Sequence, residues 1–250
     1  MAKHSGKVAV ITASTEGIGF AIARKLGLDG AHIVISSRKQ ANVDQAINAL
    51  KAENISVSGV ACHVGKASDR RALLDKVEKD HGGIDILVLN AGVNPYFGSI
   101  LGTPESAYDK ILDINVKSTF MFIQESVPMI EKRGKGSIVI VTSVGGYVPS
   151  ELLGIYGVSK TALLGLVKAL VPELCSKNIR VNGLAPGLIK TKMSGALLSQ
   201  GEEVAAQMIP INKVGRPDDC AGIVSFLSSD EAAYITGETV VVAGGVQSRL

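Results

Sequence analysis

The sequence predicts one α/β domain built on a seven-stranded parallel sheet with helices on both faces. Short apolar runs rich in valine and isoleucine recur along its 250 residues, and longer helical segments separate most of them. Continuous apolar runs are typical of strands that are covered on both faces, and alternation with helices is typical of parallel strand–helix–strand units. Neither an internal repeat nor a linker divides the chain, so residues 1–250 are expected to form a single domain.

The expected strands follow one another at residues 8–11, 32–36, 56–61, 84–89, 137–141, 179–184 and 239–243. The closely spaced turn signals that a β-sandwich needs are absent. Two of the helical segments contain a proline, which removes one helical hydrogen bond. We therefore expect the helix over 162–175 to bend or end near Val171, before Pro172, and the helix around Pro128 to be kinked or interrupted.

The composition is that of an ordinary soluble protein, with 46% hydrophobic residues, 20% charged residues and a formal charge of +3. This balance argues against a nucleic-acid partner. No stretch approaches the roughly 20 uncharged apolar residues that cross a bilayer, so no membrane span is expected. The three cysteines and four histidines fall at no metal-ligand spacing, and no metal site is predicted.

Residues 12–19, TASTEGIG, lie between the first strand and a helical segment. Glycines in such a turn permit close approach of the backbone to a ligand, and the start of the helix favours a phosphate. A plain tight turn is the alternative reading. Ala13 stands where a phosphate loop could have a further glycine, and its methyl group costs little if its φ is negative. Ser14 and Thr15 can add hydroxyl donors.

The residues after the second expected strand indicate which dinucleotide binds. An NAD site places an acidic residue there, whereas an NADP site places a cation near the 2′-phosphate. This chain has Ser37, Arg38 and Lys39 instead of an acid. Arginine can form paired hydrogen bonds to phosphate, so NADP(H) is the predicted cofactor.

The stretch YGVSK, residues 156–160, lies within a helical pattern. Tyr156 and Lys160 are four residues apart and therefore share one helix face. A phenol with an ordinary pKa of about 10 exchanges protons poorly at neutral pH unless a nearby cation stabilises the phenolate, and Lys160 is the predicted cation. Ser143 follows the fifth expected strand at the edge where open α/β sheets bind ligands, and its hydroxyl can polarise a carbonyl.

Together with LNAG (89–92), Ile114-Asn115 and PGLIKT (186–191), these motifs resemble the short-chain dehydrogenase/reductase family over essentially the whole chain. The resemblance implies a Rossmann fold and a catalytic tetrad in which Tyr156 exchanges the proton, Lys160 holds the ribose, Ser143 orients the carbonyl and Asn115 keeps a water relay in place. It also implies a set of cofactor-binding residues: Ser14, Thr15, Gly17, Ile18, Gly19, Ser37, Arg38, Lys39, His63, Val64, Asn90, Ala91, Gly92, Tyr156, Lys160, Pro186, Gly187, Ile189 and Thr191.

Two departures from the common pattern narrow the resemblance. Ala13 replaces a glycine, and His63 stands before Val64 where most members have an acid. With these two departures, the chain resembles a branch of peroxisomal NADP-dependent carbonyl reductases and retinol dehydrogenases. The resemblance implies an NADPH-dependent reductase of aromatic ketones, α-dicarbonyls and retinal that also catalyses the reverse alcohol oxidation. The alternatives are a steroid or ketoacyl-thioester reductase of the same family, and a non-catalytic NADP-binding scaffold.

The remaining expectations concern the substrate, assembly and location. Residues 192–215 are the expected substrate lid, and Tyr147, Val148, Leu152 and Leu153 indicate an apolar pocket. The family resemblance implies a homotetramer. The tripeptide Ser248-Arg249-Leu250 is similar to the peroxisomal address S-K-L and predicts import by a receptor into the peroxisome, with the cytoplasm as a second location.

Overall fold

The computed structural model describes residues 2–148, 151–199 and 201–248. Their central element is one parallel sheet with the strand order β3-β2-β1-β4-β5-β6-β7. The strands are β1 (Val8–Ile11), β2 (His32–Ser37), β3 (Val57–Ala61), β4 (Ile86–Leu89), β5 (Gly136–Val141), β6 (Ile179–Pro186) and β7 (Thr239–Val242). The predicted Rossmann-like fold is therefore confirmed, with a seven-stranded parallel sheet.

Helices cover this sheet. They are α1 (Gly17–Leu28), α2 (Gln40–Ala52), α3 (Ala67–His81), α4 (Glu105–Leu112), α5 (Ser118–Glu131), α6 (Gly154–Ser176), α7 (Glu202–Gln207) and α8 (Pro217–Leu227). A π-helical turn, Asp113–Lys117, joins α4 to α5.

The alternation of side chains along each strand produces two cores. Ala9 and Ile11 of β1 are buried on the face covered by α1, α2 and α8. Val8 and Val10 point to the opposite face, which α3, α5 and α6 cover. Because both faces of a strand are buried in this way, the strands appear in the sequence as uninterrupted apolar runs.

Neither proline ends or interrupts its helix, so that half of the expectation is wrong, while a bend at either proline stays a prediction. Helix α5 continues through Pro128, and α6 continues through Pro172. Buried side chains after each proline hold the helix against the sheet: Met129 and Ile130 in α5, and Leu174 in α6. Burial of each such side chain contributes roughly 1.5–3 kcal/mol, which offsets one lost hydrogen bond.

Helix α6 is the one segment of the described residues that is long and apolar enough to span a membrane by length and composition. This is weak evidence, because the core helix of a soluble protein passes the same test. The helix carries Lys160, Lys168 and Glu173, and only 22% of its most apolar stretch is buried.

The strand order creates a crevice at the carboxyl ends of the central strands. Strand β1 pairs with β2 on one side and with β4 on the other. The chain runs outward from β1 through β2 to β3 and then crosses back to β4, so the strand order reverses at β1. Open α/β sheets bind ligands at such a switch point. The loops after β1, β4 and β5, with the start of α6, therefore determine the chemistry of the crevice.

The backbone at Ala13 differs from the expectation. Its φ is +50°, so this alanine occupies the left-handed region rather than the favourable negative range. Asn90 holds the Ala13 carbonyl in this conformation through an Nδ2 hydrogen bond of 2.9 Å. A left-handed alanine costs about 1–2 kcal/mol.

We predict that Ala13→Gly raises the free energy of unfolding by about 0.5–1 kcal/mol, because relief of this strain exceeds the added entropy of the unfolded chain. The measurement is urea denaturation. Ala72→Gly is the matched control, since Ala72 is exposed within α3 and its replacement should lower stability by about 1 kcal/mol. A loss of stability in both variants would contradict the strain at Ala13.

Candidate active site

A cleft of about 1210 Å³ opens at the carboxyl edge of the sheet. Most of the predicted site residues line it. From the catalytic set these are Ser143, Tyr156 and Lys160, and from the cofactor set Thr15, Gly17, Ile18, Ser37, Arg38, His63, Val64, Asn90, Ala91, Gly92, Pro186, Gly187, Ile189 and Thr191. Ser14, Gly19, Lys39 and Asn115 are not among the lining residues.

The loop at residues 12–19, called the glycine loop below, packs closely against its neighbours. Gly17, with a φ of +59°, begins α1 and faces Thr191 across the cleft, where a Cβ would lie 3.4 Å from the threonine Cγ2. Gly19 is buried, and a Cβ there would come within 2.4 Å of Asn90 Nδ2. Gly19 thus allows the loop to pack against Asn90 and does not face the ligand space.

The hydroxyl of Ser14 is turned inward, which corrects the expectation that it serves as a donor to the ligand. Its Oγ donates to the Ile11 carbonyl at 2.7 Å and accepts from the Ser36 amide at 3.1 Å. Ser14 is fully buried and ties the loop to the ends of β1 and β2.

Thr12 is a residue that the sequence analysis missed. Its Oγ1 accepts hydrogen bonds from the backbone amides of Asn90 and Ala91, at 3.0 and 3.1 Å. Thr12 therefore fixes the loop after β4 against the loop after β1, on the two sides of the switch point. Its position directly after a buried strand was the available signal.

The 2′-phosphate end of the predicted cofactor site contains Ser37 and Arg38, which line the cleft. Arg38 is exposed and takes part in none of the ion pairs found among the described residues. Lys39 precedes α2 and does not line the cleft. His63 lines the neighbouring wall, and its buried Nδ1 has no hydrogen-bond partner among the described residues.

The proton-handling groups converge at the start of α6. The Tyr156 phenol and the Ser143 hydroxyl both belong to residues that line the cleft, and Ser143 acts to lower the pKa of the phenol. Lys160 Nζ lies 5.6 Å from the centre of the Tyr156 ring, so both side chains share the predicted helix face. Ser143 Oγ also accepts from the Gly145 amide at 3.1 Å, and this bond holds the hydroxyl at the end of β5.

The electrostatics differ from the expectation that Lys160 lowers the pKa of Tyr156. Burial raises the pKa of the Tyr156 phenol, and the influence of Ser143 opposes this shift. Burial likewise lowers the pKa of Lys160 to about 8. The Lys160 ammonium donates to the Val141 carbonyl at 3.0 Å and is not hydrogen bonded to the phenol. Desolvation is therefore the dominant influence on both groups.

Asn115 lies behind the cleft in the π-helical turn and acts through its amide. Its Oδ1 accepts from the Val93 amide at 2.8 Å, and its Nδ2 donates to the Val93 carbonyl and to Ser159 Oγ, both at 3.0 Å. Ser159 Oγ in turn donates to the Tyr156 carbonyl at 2.7 Å. These contacts make Asn115 a positioning residue, while its part in a water relay stays a prediction.

Ser159 is a second residue that sequence reasoning missed. It is fully buried inside the YGVSK motif and connects Asn115 to the backbone of Tyr156. Its position one residue before Lys160 was the only signal. Gly92 completes this part of the wall, because a Cβ there would lie 3.4 Å from Lys160 Nζ.

The expected lid borders the other side of the cleft. Two ion pairs hold this segment: Lys192 pairs with Glu16 of the glycine loop, and Glu202 of α7, within the lid, pairs with Lys190 just before it. The lining residues on this side are largely apolar: Met193, Leu197, Val204, Ala205, Met208 and Ile209. Of the residues predicted for an apolar pocket, Val148 and Leu153 line the cleft, whereas Tyr147 and Leu152 do not.

The fold and these groups define a nicotinamide-dependent oxidoreductase, and comparison with known proteins supports this assignment. A family model described as enoyl-(acyl carrier protein) reductase matches residues 12–247. With the relatives described below, this match shows that the chain belongs to the short-chain dehydrogenase/reductase (SDR) family.

The chain is similar along nearly its whole length to members of one branch. Dehydrogenase/reductase SDR family member 4 of Oryctolagus cuniculus is 59% identical, over 98% of this chain and 95% of the relative. The Homo sapiens protein of the same name is 58% identical, over 98% of this chain and 89% of the relative. A solved short-chain type dehydrogenase/reductase from Mycobacterium marinum superposes with a TM-score of 0.93 at 29% identity, over 99% of this chain and 98% of that one.

Proposed function

We propose that this protein reduces ketones and aldehydes with NADPH and, when the cofactor ratio permits, oxidises the corresponding alcohols. The observation that carries the proposal is the convergence of Tyr156, Ser143 and Lys160 in one cleft with the glycine loop. The relatives are named dehydrogenase/reductases, which is consistent with both directions.

The described residues fit a nicotinamide dinucleotide. Gly17 and Gly92 leave space at the cleft wall that a Cβ would reduce, and the start of α1 offers free backbone N–H groups to a phosphate. The orphaned Nδ1 of His63 is available to the adenine end of the site. The bound cofactor supplies or accepts the hydride in such enzymes.

Each catalytic side chain has a separate role in the proposed reaction. Tyr156 donates its phenolic proton to the carbonyl oxygen during reduction, and Ser143 donates a hydrogen bond that holds the same oxygen. The Lys160 ammonium, mostly protonated below its pKa of about 8, stabilises the phenolate that remains. Asn115 and Ser159 position the helical turn that carries Tyr156.

The residues at the end of β2 support a preference for NADP(H) over NAD(H). Ser37 and Arg38 line the cleft there, and no acidic residue follows the strand. Arg38 is exposed toward the solvent and can form paired hydrogen bonds with a 2′-phosphate.

The proposed substrates are apolar carbonyl compounds: aromatic ketones, α-dicarbonyls and retinal. The largely apolar lid and the neighbouring Phe97, Val148 and Leu153 favour such molecules. A reductase of acyl-carrier thioesters would favour a basic patch at the mouth of the cleft. Lys110, Lys190 and Lys192 line the cleft, and the last two are each paired with a glutamate.

Assembly and location are further proposals. SDR relatives are typically oligomeric, and the exposed apolar side chains Phe120 of α5 and Val158 of α6 are suitable for contact between subunits in a homotetramer. Peroxisomal location remains a prediction from the tripeptide at 248–250. Its Arg249 and Leu250 lie outside the described residues.

We predict that Tyr156→Phe lowers kcat by about 10²–10⁴-fold, because the proton donor is lost, while NADPH binding is retained. The measurements are NADPH absorbance with a panel of aromatic ketones, α-dicarbonyls and retinal, and fluorescence titration of the cofactor. Tyr147→Phe is the control, since Tyr147 does not line the cleft. Turnover that survives in Tyr156→Phe would refute the assignment, and NADPH binding without any turnover in the unmodified protein would favour a scaffold.

We predict that Arg38→Ala weakens NADPH binding roughly 10–100-fold and changes NADH binding by less than about 2-fold, because only NADPH has a 2′-phosphate. Dissociation constants for both cofactors provide the test. Lys39→Ala is the matched control, because Lys39 is a neighbouring cation that does not line the cleft. An equal loss for the two cofactors in Arg38→Ala would rule out the phosphate contact.

A further inference from the structure

The side-chain amide of Asn94 is buried in the cleft wall without a hydrogen-bond partner. Both its Nδ2 and its Oδ1 are inaccessible to solvent, and neither has a partner among the residues that the structure describes. The residue lines the cleft. A buried amide without partners is unfavourable for stability, and such groups in native proteins call for an explanation.

The other two asparagines around the cleft have clear structural tasks. Asn90 donates from Nδ2 to the carbonyls of Thr12 and Ala13, at 3.2 and 2.9 Å. Asn115 uses both ends of its amide on Val93 and Ser159. Asn94 therefore differs from both, because its amide contributes no such contact to the fold.

The position of Asn94 is fixed relative to the catalytic tyrosine. Its neighbour Val93 is held at both its amide and its carbonyl by Asn115, which is linked through Ser159 to the Tyr156 backbone. After Asn94 the same wall continues with Pro95 and Phe97, which offer the amide no polar side chain. Asn94 is thus a polar group held in an apolar wall of the cleft that contains Tyr156.

We propose that Asn94 is a substrate-recognition residue that binds a second oxygen of the substrate, next to the carbonyl that is reduced. When the amide turns from its buried position toward the cleft, its Nδ2 donates to the second carbonyl of an α-dicarbonyl compound, while Ser143 and Tyr156 hold the first. This inference rests on the proposed carbonyl reduction. A site that hydrogen-bonds a substrate oxygen discriminates against analogues that lack it, since the buried amide is then left unpaired.

The test compares Asn94→Leu with the unmodified protein on two ketones, 1-phenyl-1,2-propanedione and propiophenone. Leucine has a similar size but no hydrogen-bonding atoms. Asn48→Leu is the matched control, because it makes the same change on the exposed face of α2. Steady-state kinetics, NADPH dissociation constants and thermal denaturation are measured for all three proteins.

The expected result is a loss of kcat/KM of about 10-fold for the dione, from one lost hydrogen bond, with propiophenone changed by less than about 2-fold. NADPH binding should be unchanged in Asn94→Leu. Its melting temperature should rise, because an unpaired buried amide has been removed, and Asn48→Leu should leave the ratio between the two ketones unchanged.

Several results would overturn the proposal. An equal loss on both ketones would give Asn94 a positioning role, and weakened NADPH binding would place its amide on the cofactor. A lower melting temperature would mean that the amide supports the fold. If the unmodified protein binds NADPH but reduces neither ketone nor any other carbonyl compound, the proposed function fails together with the inference. An active protein with unselective losses refutes the role of Asn94 alone.

Discussion

The burial of Lys160 beside Tyr156 is the constraint on which the chemistry of this site depends. The lysine is only 3% exposed, and burial lowers its pKa to about 8 while it raises the pKa of the phenol. Burial alone therefore disfavours both the phenolate form of Tyr156 and the ammonium form of Lys160. Proton exchange by Tyr156 therefore depends on charges and hydrogen bonds that meet within the cleft, from Ser143, Lys160 and the bound molecules.

A hydrogen-bonded framework holds these groups in place from behind. Asn115 and Ser159 connect the loop after β4 to the turn of α6 that carries Tyr156. Thr12 and Ser14 perform the same task between the loops after β1, β2 and β4. Buried polar groups of this kind are rigid when fully satisfied, so the reacting side chains extend from a fixed wall.

The sequence was sufficient to predict the strands and the groups that face the cleft, and it was insufficient for the groups behind them. Strands buried on both faces leave continuous apolar runs, and Tyr156 with Lys160 occupies a recognisable helical spacing. The inward turn of Ser14, the positive φ of Ala13 and the continuation of α6 through Pro172 depend on tertiary contacts. The amide of Asn94, which has no hydrogen-bond partner among the described residues, also depends on tertiary contacts, so no local pattern in the sequence reveals it.

The most direct test of the account is the pKa of the Tyr156 phenol, measured by ¹³C NMR with tyrosine labelled at Cζ and assigned with Tyr156→Phe. In the protein alone this pKa should lie above its ordinary value of about 10, since burial dominates. With saturating NADP⁺ the pKa should fall, because positive charge is then added to the cleft, and Lys160→Met should diminish the fall. A pKa that is the same with and without NADP⁺, in both proteins, would contradict the central claim that charges within the cleft control this proton.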